Sequence, residues 1–167
     1  VKNGSRTFLV EVQALVSTSR YGTPQRVVQG VDNKRVALLA AILEKRAGMD
    51  RAGCDIFVKV AGGGRVEAPA ADLAIMAALA SSLREKPIPP ETLILGEVGL
   101  TGEVRQVADT ASRLREAARH GFKRALLAKG EGRGPKSEGI KLEKVTSVEE
   151  AVAVAFQPSS RRAKGGA

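Results

Sequence analysis

Residues 92–105 read TLILGEVGLTGEVR and carry the most specific structural signal in the chain. Residues 92–97 begin with a β-branched residue and continue with three aliphatic ones, which predicts a strand. The segment 100–103, with Gly102 inside it, predicts a tight turn into a short return strand through Val104. A strand, a turn and a short return strand are therefore expected here, and the segments on both sides complete the fold.

Strand and helix patterns mix along the rest of the chain. Val10, Val12, Ala14 and Val16 face one way in the first strand, and a turn over 17–24 leads to a second, so a hairpin is expected. The predicted strands are 8–16, 25–31, 55–60, 92–97, 124–128 and 141–145, and the predicted helices are 33–46, 70–83, 110–120 and 147–156. This mixture predicts an α+β (α/β mixed) fold with about four helices and six strands.

Three features predict where the helices begin, end and pack. Asp32 is placed to cap the first helix, and Asp109 or Thr110 the third. Gly121 follows the third helix as its expected C-terminal stop. Residues 70–83 are apolar almost all round, so this helix should be largely buried.

The length and charge of the chain suggest one basic domain. Its 167 residues carry 27 Lys and Arg against 18 Asp and Glu, a net charge of +9. That balance favours a polyanionic partner, although a basic surface can also serve solubility alone. We expect an N-terminal leader over 1–6, one domain over 7–156 and a disordered tail over 157–167.

Several classes of site are disfavoured by composition. A single cysteine, Cys54, excludes an internal disulfide, and with only His120 beside it the usual Cys/His zinc clusters are excluded too. Neither a signal-peptide pattern nor a membrane-length apolar run is present. We therefore expect a cytoplasmic protein without a metal, a cofactor or a membrane partner.

The sequence offers no convincing catalytic group. Ser81 and Ser82 lie late in an apolar helix, where hydroxyls usually bond to carbonyls of the preceding turn. His120 lies at a predicted helix end, and Cys54 has no evident activator. Because a nucleophile needs a neighbouring base, no catalytic residue is assigned.

Two further patterns are weak. The glycines of residues 62–64 are read as a conformational loop in preference to a phosphate cradle, because the spacing of the known nucleotide-binding loops is missing. The acidic residues Glu67, Glu97 and Glu103 do not define a metal or acid–base pair. Asp72, near the start of the second helix, is placed to cap it or to bind a basic partner.

Basic residues cluster in three places and are scarcely interleaved with aromatic residues, which disfavours base stacking and favours contacts to a nucleic-acid backbone. Solvated surface and salt bridges between subunits are the alternatives. The clusters are Arg20, Arg26, Lys34 and Arg35; then Arg105, Arg113, Arg115, Arg119, Lys123 and Arg124; and finally Arg161, Arg162 and Lys164.

Spaced blocks over residues 7–156 resemble one protein family. They include VQALV at 12–16, EAPAADLA at 67–74, GEVGLTGEVR at 96–105 and GF at 121–122. In this combination they resemble the last domain of the RadA (Sms) family of bacterial DNA-repair proteins. The resemblance implies a Lon-protease-like domain of the type found in ribosomal protein S5 domain 2.

Lon proteases cleave with a Ser-Lys dyad, and the resemblance indicates that this chain has lost it. Matched to the Pro-Ser-Ala-Gly segment of Lon, the serine position holds Ala70. Matched without gaps to Gly-Gly-Leu-Lys, the lysine position holds Ala111. A methyl group can neither attack a carbonyl nor accept a proton, so a proteolytically inactive domain is implied.

The resemblance also implies a role within a larger machine. The family combines a zinc-binding segment and a RecA-like ATPase, neither present here, for branch migration in recombinational DNA repair. This domain is implied to build a homo-oligomer, a hexamer in that family, and to contact DNA without sequence specificity through Arg26, Lys34, Arg35 and Arg105. A RecA-family recombinase is an implied partner of the full-length protein. The alternatives are an interaction platform without DNA contact, or a hydrolase that uses Ser81 or Ser82.

Overall fold

The computed structural model describes residues 2–3, 6–20, 22–50, 53–130 and 138–158. Within these ranges the chain is a mixture of helices and short strands, which confirms the α+β class. The helices are α1 (Asn33–Ala47), α2 (Asp72–Leu83), α3 (Thr110–Arg119) and α4 (Val148–Ala155). The strands are β1 (Lys2–Asn3), β2 (Arg6–Thr7), β3 (Val12–Thr18), β4 (Arg26–Gln29), β5 (Cys54–Val60), β6 (Thr92–Leu95), β7 (Glu97–Val98), β8 (Val104–Arg105), β9 (Arg124–Ala128) and β10 (Lys141–Val145).

The first sheet has the order β3-β5-β4, so the predicted hairpin between the first two long strands is wrong. β5 lies between them, antiparallel to β3 and parallel to β4. A parallel pair needs a crossover, and α1 provides it between β4 and β5. The side chains of Ile56, Val58 and Val60 on β5 are all buried, which explains why this strand takes the central position.

The second sheet, β10-β9-β6, is entirely parallel. All five residues of its central strand β9 are buried. Leu114 and Ala117 of α3 pack with one set of apolar residues on this sheet, while α2 and α4 belong to the main core together with Leu126. The second sheet therefore separates a small core from a large one. Its outer strand β6 is an edge, because among the described strands it pairs only with β9.

The structure confirms most of the predicted helix ends. Asp32 caps α1 by accepting a 2.9 Å hydrogen bond from the Arg35 amide, and Gly48 ends the helix with a φ of 62°. Asp109 stands at the predicted N-cap of α3, but its side chain makes no capping bond. The Thr110 hydroxyl donates to the Val107 carbonyl. The α3 side-chain cap is thus absent.

The second helix is buried as predicted, but its regular part begins later. Residues Pro69–Ala71 form a 3₁₀ turn, and α2 follows from Asp72. The Ala70 carbonyl accepts a hydrogen bond from the Gly96 amide, and the Leu73 amide donates to the Gly96 carbonyl. The start of α2 is thereby fixed to the end of β6.

The return strand predicted from residues 92–105 is present. β7 and β8 pair antiparallel, with Glu97 opposite Arg105 and Val98 opposite Val104. In the turn, Gly102 has a φ of 88°, and a Cβ there would lie 2.9 Å from the side chain of Arg46 on α1. This turn requires glycine for both reasons. None of the helices in the described part of the chain is long and apolar enough to cross a membrane.

Candidate functional site

A cleft of about 940 Å³ opens between the segment 7–14 and strand β6 at the edge of the second sheet. The segment 7–14 forms one wall, and the edge strand Thr92–Leu95 forms another. Its floor consists of small side chains from the turn before α2 and from α2 itself: Ala70, Ala71, Ala74 and Ala78. The cleft is therefore mostly apolar and bordered by two stretches of extended chain.

The two positions matched to the Lon dyad differ in their location. Ala70 is buried in the 3₁₀ turn and lines the cleft. Ala111 lies in the first turn of α3, half-buried, and is not among the described residues that line the cleft. The structure therefore brings one of the two positions to the cleft. That the chain lost a protease dyad stays a prediction.

The alternative nucleophiles are engaged in structural bonds. The Ser81 hydroxyl lines the cleft but donates to the Lys86 carbonyl at 2.7 Å. The Ser82 hydroxyl accepts from the Val16 amide at 2.8 Å. His120 is paired with Glu116 at the exposed end of α3. Neither serine thus has a described basic group as its hydrogen-bond partner.

The described residues provide no metal-binding group of three or more His, Cys, Asp or Glu side chains. The glycine loop after β5 is exposed, and Gly62 and Gly63 have φ values of 82° and 71°. Positive φ explains these glycines without a ligand.

A partly buried ion pair connects α1 to α2. The Asp72 carboxylate accepts from Arg35 Nε at 2.6 Å and from the Val98 amide at 3.3 Å. Burial raises the pKa of the Asp72 carboxyl, and the hydrogen bond and charge of Arg35 offset this rise only in part. Asp72 thus binds a basic partner, as the sequence suggested, and that partner is in the same chain.

Arg35 is occupied by this internal network. Its side chain is 18% exposed, and its terminal nitrogens donate to the carbonyls of Val66, Glu67 and Ala68. A phosphate would have to replace these acceptors. Contact of Arg35 with DNA stays untested, and its bonds give it a role in holding the segment before α2.

Arg105 is more accessible but is also paired. It forms salt bridges with Glu103 and, at 3.7 Å, with Glu97, and its side chain is 58% exposed. The pKa of the Glu103 carboxyl is lowered to about 2, chiefly by the hydrogen bond from the Thr101 hydroxyl. The Glu103 carboxylate is thus available to compete with a phosphate for Arg105 near neutral pH.

Arg26 and Lys34 differ from the other two candidates. Arg26 lies on β4, Lys34 in the first turn of α1, and both are exposed. Among the described residues, neither side chain has a hydrogen-bond or ion-pair partner. These two cations can meet a phosphate without losing an internal bond.

Arg113 and Arg124 belong to the second basic cluster of the sequence, but the structure buries both, leaving 6% and 1% exposed. Arg113 lies one helical turn from Ala117 and beside Leu114 on the apolar face of α3, and Arg124 begins a strand of the pattern RALLA. Apolar periodicity around an arginine was the signal that marked them as buried.

The chain is similar to one family model and to several curated proteins. Residues 11–131 match the family model described as subunit ChlI of Mg-chelatase. DNA repair protein RadA of Pseudomonas aeruginosa is 46% identical over 154 residues, which cover 92% of this chain and 34% of the relative. RadA of Bacillus subtilis is 46% identical over 150 residues (89% and 33%), and RadA of Escherichia coli is 41% identical over 154 residues (92% and 34%). The chain spans about a third of the length of these curated relatives.

Proposed function

Since this chain belongs to the RadA family of DNA repair proteins, we propose that it is a non-enzymatic module of DNA repair. Its residues 11–131 also match the ChlI family model. It assembles as a homo-oligomer, with a hexameric ring as the expected form, and holds DNA without sequence specificity. In the whole protein it serves ATP-dependent branch migration, with a RecA-family recombinase as a possible partner. The observation that carries the proposal is the 41–48% identity to RadA proteins of several bacteria.

The DNA-binding part of the proposal is supported by charge. The net charge is +9, and Arg26 and Lys34 are exposed cations without a described partner. Each phosphate that a cation neutralises releases counterions, which contributes affinity whatever the base sequence. A ring would repeat the same cations around its axis and multiply weak contacts.

The assembly part is supported by an apolar stripe across the outer face of the first sheet. Leu15 lies opposite Phe57, and Phe57 lies opposite Val27, so the three side chains share one face. Leu15 is 57% exposed and Val27 is 45% exposed. A contiguous apolar surface of this kind suits contact with another protein surface.

The absence of proteolysis is supported by Ala70, which lines the cleft and stands at the position that the sequence resemblance matches to the serine of Lon. Peptide cleavage by the purified chain that disappears on Ser81→Ala would contradict this part of the proposal.

One experiment tests assembly and DNA binding together: sedimentation of the chain with and without duplex DNA across a salt series. The variant is Arg26→Glu/Lys34→Glu. The matched control is Arg65→Glu/Arg119→Glu, which changes the net charge equally at residues that are 74% and 77% exposed. We expect the first variant to bind DNA at least about tenfold more weakly than the control, and the log–log salt slope to fall by about 2.

Equal losses in both variants would contradict a DNA role for Arg26 and Lys34. A chain that stays monomeric at high concentration and does not bind DNA at low salt would overturn the proposal. An oligomer or partner complex that forms without any DNA affinity would favour the alternative, a protein-interaction platform, for which the apolar stripe also provides a surface.

A further inference from the structure

One charged group in the cleft is not explained by the fold. Arg113 is 6% exposed and lines the cleft. Its Nε donates to the Ala108 carbonyl at 3.1 Å, and its two terminal nitrogens have no acceptor among the described residues. A buried guanidinium with four unused N–H groups is unfavourable, so such groups usually have partners. The donors of Arg113 therefore call for an acceptor from outside the described chain.

The wall beside Arg113 is an unpaired strand edge. β6 pairs only with β9, and none of residues 92–95 makes a backbone hydrogen bond to another described segment. The same four residues line the cleft. A strand edge that borders a cleft can accept a further strand, since its outward amides and carbonyls are free to pair.

The rest of the lining limits what can enter. The floor is formed by alanines, and the rim includes the proline-rich segment 87–90. Glu11 and Glu91 also line the cleft. Glu11 accepts a hydrogen bond from Gln13, and Glu91 is paired with Lys123. A nucleic-acid strand carries a negative charge at every phosphate and would meet one buried cation and two carboxylates in this cleft, which disfavours it here. Small apolar side chains and a single carboxylate fit this lining.

We infer that the cleft binds an extended segment of a partner protein, which adds as a strand to the free edge of β6 and places one acidic side chain on Arg113. The backbone of the segment supplies the hydrogen bonds that β6 lacks, its apolar side chains contact the alanine floor, and its carboxylate accepts the free donors of Arg113. A volume of about 940 Å³ is enough for a few residues of such a segment. This site is separate from Arg26 and Lys34 and does not depend on DNA binding.

The probe is a library of nine-residue peptides, acetylated and amidated at the ends, with a central Glu and flanking positions varied among Ala, Val, Leu, Ser and Thr. Matched libraries carry Gln or Lys at the centre. After selection on the immobilised chain, affinities are measured by fluorescence anisotropy. We expect the Glu library to yield binders, and the best Glu peptide to bind at least about tenfold more tightly than its Gln counterpart. In strand addition, only every second amide of the peptide faces β6. N-methylation of one set of alternate amides should therefore abolish binding, and N-methylation of the other set should not.

Two variants locate the carboxylate. Arg113→Gln should reduce the ratio of Glu-peptide to Gln-peptide affinity to about one, whereas Arg115→Gln, at an exposed position of the same helix, should keep it. If Arg113→Gln does not fold, the comparison of Glu and Gln peptides on the unchanged chain still decides. Equal affinity for Glu and Gln peptides, no binder from the Glu library, or displacement of the peptide by single-stranded DNA would each overturn the inference.

Discussion

Arg124 and Arg113 are both buried arginines, but their surroundings are opposite. Arg124 pairs with Glu143 through Nε at 3.0 Å and also donates to the Ala155 carbonyl at the end of α4 and to the Gln157 carbonyl beyond it. Arg113 has one carbonyl partner. Burial alone thus does not say what an arginine does. A full set of internal acceptors indicates a structural role, and unused donors in a cleft indicate a place for a ligand.

The largest effect is expected when Arg124 is removed. Arg124→Ala removes the donor of three carbonyls at and just after the end of α4 and leaves Glu143 with Lys141 alone, so the free energy of unfolding should fall by about 3–5 kcal/mol. Urea denaturation followed by circular dichroism measures it. A loss below about 1 kcal/mol would show that the comparison between the two arginines is wrong.

A smaller effect is expected at Arg113. Arg113→Met keeps the length of the side chain and removes donors that have no internal acceptor beyond Ala108, so stability should change by less than about 1 kcal/mol, or rise. The same urea titration measures this. A loss as large as that of Arg124→Ala would mean that Arg113 is internally satisfied, and it would weaken the inferred peptide site.

The smallest effect is a pH dependence that sharpens the same contrast. Burial raises the pKa of the Glu143 carboxyl, but hydrogen bonds from Arg124 and Lys141 outweigh burial, and the net shift is downward from 4.5. Glu143 therefore contributes stability above about pH 4.5, and this contribution is lost as the pH falls through its folded-state pKa. The chain should lose more stability than Glu143→Gln on acidification, while Arg113→Met should keep the acid profile of the unchanged chain.

Asp72 serves as a control, because its contribution to stability is expected to change with pH in the opposite direction. Its pKa is raised from 3.8, so its contribution is fully present below pH 3.8 and is lost as the pH rises through the folded-state value. Stability measured from pH 6 to pH 3 for the chain, Glu143→Gln and Asp72→Asn separates the two groups. Identical slopes for all three proteins would contradict both assignments.

Local pattern predicted the elements well, because alternation and helical spacing are properties of neighbouring residues. The turn after residues 92–95 and the Asp32 cap were predicted for the same reason. Strand order could not be predicted, because residues 17–24 resemble a hairpin turn whether β3 and β4 pair with each other or β5 lies between them. The partner of Arg35 was missed because Asp72 is distant in sequence.

Charge was a weaker guide to the site. Of the four arginine and lysine candidates for DNA contact, Arg35 and Arg105 carry internal ion pairs, whereas Arg26 and Lys34 are open. A formal charge is the same in each case, and only the fold decides whether a carboxylate lies beside it. The buried position of Arg113 was readable from the apolar face of α3, but its missing acceptors were not.

The central position of β5 has a consequence for how the chain acquires its structure. Val12 pairs with Val60 and Arg26 pairs with Ile56, so neither outer strand of the first sheet has its partner until residues 54–60 have been synthesised. Closing such long loops costs entropy before the contacts form, which slows sheet formation relative to helix formation. During synthesis, α1 can become helical while β3 and β4 still lack their common partner β5. The apolar face of β3 stays accessible to other proteins until β5 has emerged from the ribosome.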